Sequence, residues 1–311
     1  MSLVLDALLA TALVLLALQV VTDRSLFRGI VVFVVFGVVM ALIWARIGAP
    51  DLALAEAAIG AGMTGALLML GYRRLARRKP AHMRQPLQRR NRLALPLAAL
   101  STLLVAALGA SALQVPARTA TAGKGVLAAM PELPIGNPVT AVLLVFRGYD
   151  TLLELAVLLA ALLGIRAVEG PAGPPRVPTP AHAGLPLVGA LLSVVVPLAV
   201  LVSGYLLYAG GHAPGGAFQG GAVLAASGVL LVLTGRLRAQ PEPGLAERIG
   251  AVLGVVVFSA LGLVQHALGH GLLVMPGAWA IYLVETAMLV SIAVTLVLLF
   301  AASMGLRVGP R

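Results

Sequence analysis

The sequence predicts an all-α polytopic membrane protein with about nine transmembrane helices, its N-terminus outside and its C-terminus cytoplasmic. Three observations carry this. Of the 311 residues, 60% are hydrophobic and 11% charged, against about 25% charged in soluble domains. The apolar residues fall in nine long continuous runs rather than in the alternating ten-residue segments of a membrane β-barrel. The basic residues are concentrated between alternate runs: nine of the 22 Lys and Arg lie in residues 72–92, a stretch with no acidic residue. That cluster reads as a cytoplasmic loop able to meet anionic lipid, so it does not point to nucleic acid despite the net charge of +11.

Each run has its own justification. Run 3–21 lacks a basic leading segment and exceeds the length of a signal-peptide core, so it reads as a retained span. Runs 29–47 and 51–71 follow, before the basic loop. Run 93–113 comes next, then 114–147, whose prolines and glycines predict a structured outer loop with short helices. Run 148–168 ends the middle of the chain. Residues 170–185 are too rich in proline to continue a helix and read as an extended linker. Runs 186–209, 216–234, 246–268 and 279–302 complete the set. With loop 72–92 in the cytoplasm, alternation puts 18 of the 22 basic residues on the inner side and leaves Arg46, Arg118, Lys124 and Arg147 outside. The breaks predict modules at 1–92, 93–169 and 186–311, joined across 170–185.

Acids inside apolar runs are the sharpest chemical signal, because charging them in hydrocarbon is costly and they ordinarily face a partner, a cavity or an ion route. Glu56, Glu154 and Glu285 each lie five to seven residues into a run, about 8–10 Å from its predicted outer end. Asp150 and Glu154 are spaced i, i+4 and share a helix face, with Arg147 one turn earlier. A simple ion pair at the helix start reads this spacing equally well. His266 and His270, also i, i+4, lack a third ligand, so no metal site is expected. The absence of cysteine excludes disulfides, thiolate metal centres and Cys nucleophiles. No cofactor and no catalytic residue are predicted. No lysine lies in a span, so the chain lacks the buried Lys–Glu pairs of a complete charge relay and would supply only part of a route.

Residues 210–221, GGHAPGGAFQGG, hold six glycines and one proline in twelve positions. That density predicts a broken helix. Such a break either lines a polar path, allows tight packing through Gly216-xxx-Gly220, or is a plain turn. It is no phosphate loop, since the Lys-Ser/Thr that must follow is missing.

Three segments, in order, resemble membrane subunits of Mrp-type multisubunit cation/proton antiporters and of the related membrane-bound hydrogenases. APDLALAEAAIGAG at 49–62 resembles a module of the antiporter A subunit that is shared with a small hydrogenase subunit. NPVTAVLLVFRGYDTLLELAVL at 137–158 resembles the next A-subunit module, and HAPGGAFQGGAVLA at 212–225 is similar to the B-subunit signature. The resemblance implies three-, two- and four-span modules and matches Glu56 and Glu154 to acidic positions tied to proton or cation transfer. With Asp51, Asp150 and the intramembrane Glu285, which no recognised signature covers, they make up the candidate proton or cation path residues. Pro214, Gly215, Gly216, Phe218 and Gly220 become the B-type signature loop. Val145 and Leu153 depart from the common A-subunit pattern, and the early Glu56 is nearer the hydrogenase version.

The implied function is that of an accessory subunit, not an enzyme. It would sit in a bacterial inner membrane beside large antiporter-like subunits, moving protons and sodium or another monovalent cation. A membrane-arm subunit of a hydrogenase or complex I-related respiratory complex is the second reading. A non-conducting structural adaptor is the third.

Overall fold

The structure is a computed structural model and describes residues 2–78, 94–114, 121–169, 186–239, 243–304 and 308–309. It is helical apart from a two-residue antiparallel pairing, in which Arg238 faces Gly309 and Ala239 faces Val308. Seven helices among the described residues are long and apolar enough to cross a membrane, and two shorter apolar helices, Ala99–Ser111 and Ala217–Leu233, occupy the positions of the remaining expected runs. The expectation of a helical multi-pass membrane protein is met. Most of the basic loop, from residue 79, and the whole of linker 170–185 lie outside the described residues.

The chain divides into two compact units. One comprises Leu75–Leu133 and contains α5 (Ala94–Gln114), α6 (Thr121–Ala129) and a short 3-10 turn at Met130–Glu132. The short helix α6 falls within the loop predicted to be structured.

The other unit comprises Met1–Arg74 and Pro134–Arg311. It begins with α1 (Ser2–Thr22) and α2 (Leu26–Arg46), joined by a tight turn. Asp23 organises that turn: one carboxylate oxygen accepts from the Ser25 N–H at 2.8 Å, and the other pairs with Arg28 at 3.3 Å. Ser25 in turn caps α2. At the opposite end, Arg46 reaches Asp6 at 2.8 Å and fastens the end of α2 to the start of α1.

Gly48, with φ +81°, then reverses the chain into α3 (Pro50–Ala55), with Pro50 in the first turn where no amide donor is needed. Here the structure departs from the regular helix expected over 51–71. Glu56–Met63 is π-helical, and regular helix resumes as α4 (Thr64–Arg78). The Thr64 backbone N–H bonds the Ile59 carbonyl five residues back, and so does its hydroxyl, at 2.9 Å. The small residues of AIGAG let this wider segment lie close to α2, where a Cβ on Gly37 would stand 3.1 Å from the Ala61 Cβ. A second π-helical segment, Val142–Phe146, follows α7 (Pro138–Ala141) and precedes α8 (Gly148–Glu169). The Thr151 hydroxyl donates to the Leu143 carbonyl at 2.6 Å and ties α8 to it.

The last four helices pack around one of their number. These are α9 (Pro186–Ala209), α10 (Ala217–Leu233), α11 (Leu245–Ala267) and α12 (Ala278–Met304). Helix α12 is the core element: Ile281, Val284, Met288, Ile292 and Phe300 are all enclosed. Glycines on its two neighbours let it come close. A Cβ on Gly220 or Gly221 of α10 would approach Leu289 and Ile292 to 2.8 and 3.0 Å. On α11, Gly250 and Gly254 would meet Val294 and Ser291 at 3.0 Å. The contacts run parallel for α10 and antiparallel for α11. Ser291 bonds the Ala251 carbonyl at 2.6 Å, and Ser203 of α9 bonds the Gly220 carbonyl at 2.9 Å, each a hydroxyl bridge between apolar helices.

Candidate functional site at the glycine-rich turn

The break at 210–216 lies between α9 and α10 and is a compact turn. It has to be glycine-rich. Gly215 and Gly216 have φ of +158° and +119°, and a Cβ on Gly215 would run into the Leu206 carbonyl, which already accepts from the N–H groups of Gly210 and Gly216.

Unwound backbone in a membrane protein must find partners from the protein itself, and this turn finds them in two distant segments. From the segment 136–140, the N–H groups of Gly136 and Asn137 both donate to the Gly211 carbonyl at 2.8 and 3.0 Å. The Asn137 amide donates to the Ala213 carbonyl at 3.0 Å, and the Thr140 hydroxyl to the Gly210 carbonyl at 2.5 Å. Asn137 also caps α7 through its side-chain oxygen. From α3, the Asp51 carboxylate accepts from the Gly215 N–H at 3.0 Å. The Gln219 amide donates back to the Asp51 main-chain carbonyl at 3.3 Å. The three segments singled out by resemblance, 49–62, 137–158 and 212–225, therefore meet at one place.

The floor of the site is acidic. Glu285, 4% exposed, projects from α12 beneath Gly216 at the head of α10, its Oε1 3.2 Å from where a Cβ on Gly216 would stand. Its Oε2 has no hydrogen-bond partner among the described residues. Asp51 is 7% exposed. Tyr282 lies one turn before Glu285, stacked on Tyr208 with ring centroids 6.5 Å apart, and Tyr208 in turn stacks on His212.

Of the predicted site residues, the structure brings together Asp51, Glu285, Gly215, Gly216 and Gly220. Phe218 is half-buried beside them, and Pro214 is exposed at the tip. The other acids stand apart. Glu56 opens the first π-helical segment, half-buried, its carboxylate folded back against Gly60. Asp150 and Glu154 are exposed on this chain, and Asp150 pairs with Arg147, as the ion-pair reading allowed. His266 and His270 are exposed, and among the described residues no three metal-ligating side chains converge. Gly216 is the N-cap of α10, so close packing runs through Gly220, Gly221 and Gly228 rather than through a Gly216–Gly220 pair. Sequence reasoning missed Gln219, Asn137 and Thr140. Their signal was a neutral polar group inside a quoted motif.

Comparison with known proteins finds two families along the chain. Residues 11–77 match the family MbhD, described as the D subunit of MBH, and residues 187–309 match MnhB, a domain related to the MnhB subunit of Na+/H+ antiporter. The chain fuses an MbhD-type module to an MnhB-type module. This is the A-type and B-type fusion that the resemblance implied.

Two solved structures share the fold. A chain of the Mrp complex from Dietzia sp. DQ12-45-1b is 22% identical, with a TM-score of 0.74 over 96% of this chain and 34% of that one. A chain of the membrane-bound sulfane sulfur reductase, an archaeal respiratory membrane complex, is 24% identical, with a TM-score of 0.53 over 68% of this chain and 98% of that one. The present chain thus spans about a third of the length of the Mrp-complex chain. No curated protein matches it. Asp51 and Glu56 belong to the MbhD-type module, the turn and Glu285 to the MnhB-type module, and residues 137–158 fall between the matched ranges.

Proposed function

We propose that this chain is an accessory subunit of a multisubunit monovalent cation/proton antiporter in the bacterial inner membrane, with its N-terminus outside. It assembles with large antiporter-like subunits and contributes a section of the proton or sodium path. The observation that carries the reading is the meeting of Asp51, from the MbhD-type module, with Glu285 and an unwound turn of the MnhB-type module. A broken helix beside buried carboxylates is an arrangement suited to ion handling rather than to packing alone. Glu56 and Glu154 extend the route, Glu154 from a face open to a partner subunit.

The test is cation-dependent proton movement in membrane vesicles, with assembled complex followed on a native gel. Glu285→Gln, Glu56→Gln and Glu154→Gln keep size and hydrogen bonding while removing titration, so each should assemble and transport poorly. Normal transport by all three would leave the structural adaptor as the better reading. The MbhD match and the likeness to a respiratory-complex chain favour a second reading, a subunit of a redox-driven membrane arm. Proton movement that requires electron flow, and is indifferent to sodium, selects it.

A further inference from the structure

We propose that Glu285 and Gln219 form a proton-holding pair: the carboxyl of Glu285, when protonated, donates to the side-chain oxygen of Gln219, and the Asp51 main-chain carbonyl fixes Gln219 in the accepting orientation. The proposal rests on the ion-path reading above and identifies what the path carries at this point.

Gly216 locates the pair. A Cβ built on it would lie 3.2 Å from Glu285 Oε1 and 3.4 Å from Gln219 Oε1, so two acceptor oxygens converge on the space that the missing side chain leaves. Gln219 is held by its other end, since its Nε2 donates to the Asp51 carbonyl at 3.3 Å. A flipped amide would turn its oxygen toward that carbonyl, so the orientation is selected by repulsion as well as by the bond. Neither oxygen carries a hydrogen of its own, so a hydrogen placed between them turns a repulsive approach into a bond. The proton supplies it. Once the proton leaves, the positive end of α10, a helix of 17 residues, holds the carboxylate. The same positive helix end opposes a bare metal cation.

The other titratable groups around Glu285 are few. Tyr282 stands one turn earlier on its own helix, and its hydroxyl lies 3.5 Å from the Tyr208 carbonyl of α9. Asp51 of α3 is reached through Gln219. Helix α8 carries Asp150 and Glu154 at exposed positions. On α11 the register set by Gly250–Val294 and Gly254–Ser291 brings the apolar stretch around Phe258 to this level and leaves Glu247 and His266 toward the helix ends.

The experiment is infrared difference spectroscopy of the assembled complex in native membranes, titrated with pH. A protonated-carboxyl band that titrates should be lost in Glu285→Gln and move to higher frequency in Gln219→Leu, whose carboxyl has lost its acceptor. In the unaltered complex, carbon-13-labelled glutamine should show an amide carbonyl band that shifts with the same midpoint, a readout needing no variant. Raising sodium tenfold at fixed pH should leave the carboxyl band in place. The proposal is overturned by a band that survives Glu285→Gln, by one unmoved in Gln219→Leu, by the absence of any glutamine-linked shift, or by a band that sodium titrates away. If the bands behave as expected while Glu285→Gln transports normally, the pair stands and the ion-path reading fails.

Discussion

A single buried carboxylate can serve as a structural acceptor or as a titrating group; the geometry at Asp51 is that of an acceptor, and Glu285 is the proposed titrating group. Asp51 accepts from an amide that has no other partner in the described structure. Asp51→Ala should therefore lower stability by about 1–3 kcal/mol, the cost of a buried donor left unpaired, while Asp51→Asn, which keeps an acceptor oxygen, should lose less. Thermal unfolding of the detergent-purified complex checks the order of the two. Glu56 offers a different test. Its carboxylate occupies the space beside Gly60, so Gly60→Ala displaces the acid without removing it. Assembly on a native gel should be unchanged while proton movement in vesicles falls. Acids in apolar runs were legible in the sequence because any charge there stands out. Gln219 was not, since a neutral amide raises no electrostatic alarm and its importance comes from two oxygens brought near it by other helices.

Whole elements were legible wherever apolar length decides them. All nine expected runs coincide with described helical segments to within a few residues at each end, except that the third continues to Arg78. The two π-helical segments were hidden, because an extra residue inserted into a helix leaves composition and run length untouched and changes only which face later side chains occupy. Glycine spacing gave half the packing: Gly220 was foreseen, whereas the close approaches of Gly221, Gly228 and Gly254 emerge from the register of α10, α11 and α12. Gly220→Leu and Gly228→Leu should each cost the roughly 1–3 kcal/mol of overpacking or more and reduce the assembled complex on a native gel. Gly204→Leu on α9, where a Cβ would meet nothing within 4 Å of this chain, is the control and should assemble normally.

At the scale of the molecule, charge asymmetry predicts orientation. A Cys introduced at Gln85, outside the described residues, should be labelled only from the cytoplasmic side, and one at Gly123 only from outside; reversed labelling would put the acids near the inner face. The hydrogen bonds at the turn add a consequence in time. Asp51 and Gly215 are 164 positions apart, and ribosomes extend chains at about 5–20 residues per second. The carboxylate therefore waits on the order of ten to thirty seconds in the nascent chain before its amide exists. During that interval the membrane insertion machinery, or a sibling subunit, has to shelter an acid that the finished protein keeps covered. Ribosome-stalled chains in which residues 210–219 are still inside the exit tunnel should be degraded faster than those in which Gln219 has emerged, and Asp51→Leu should abolish the difference.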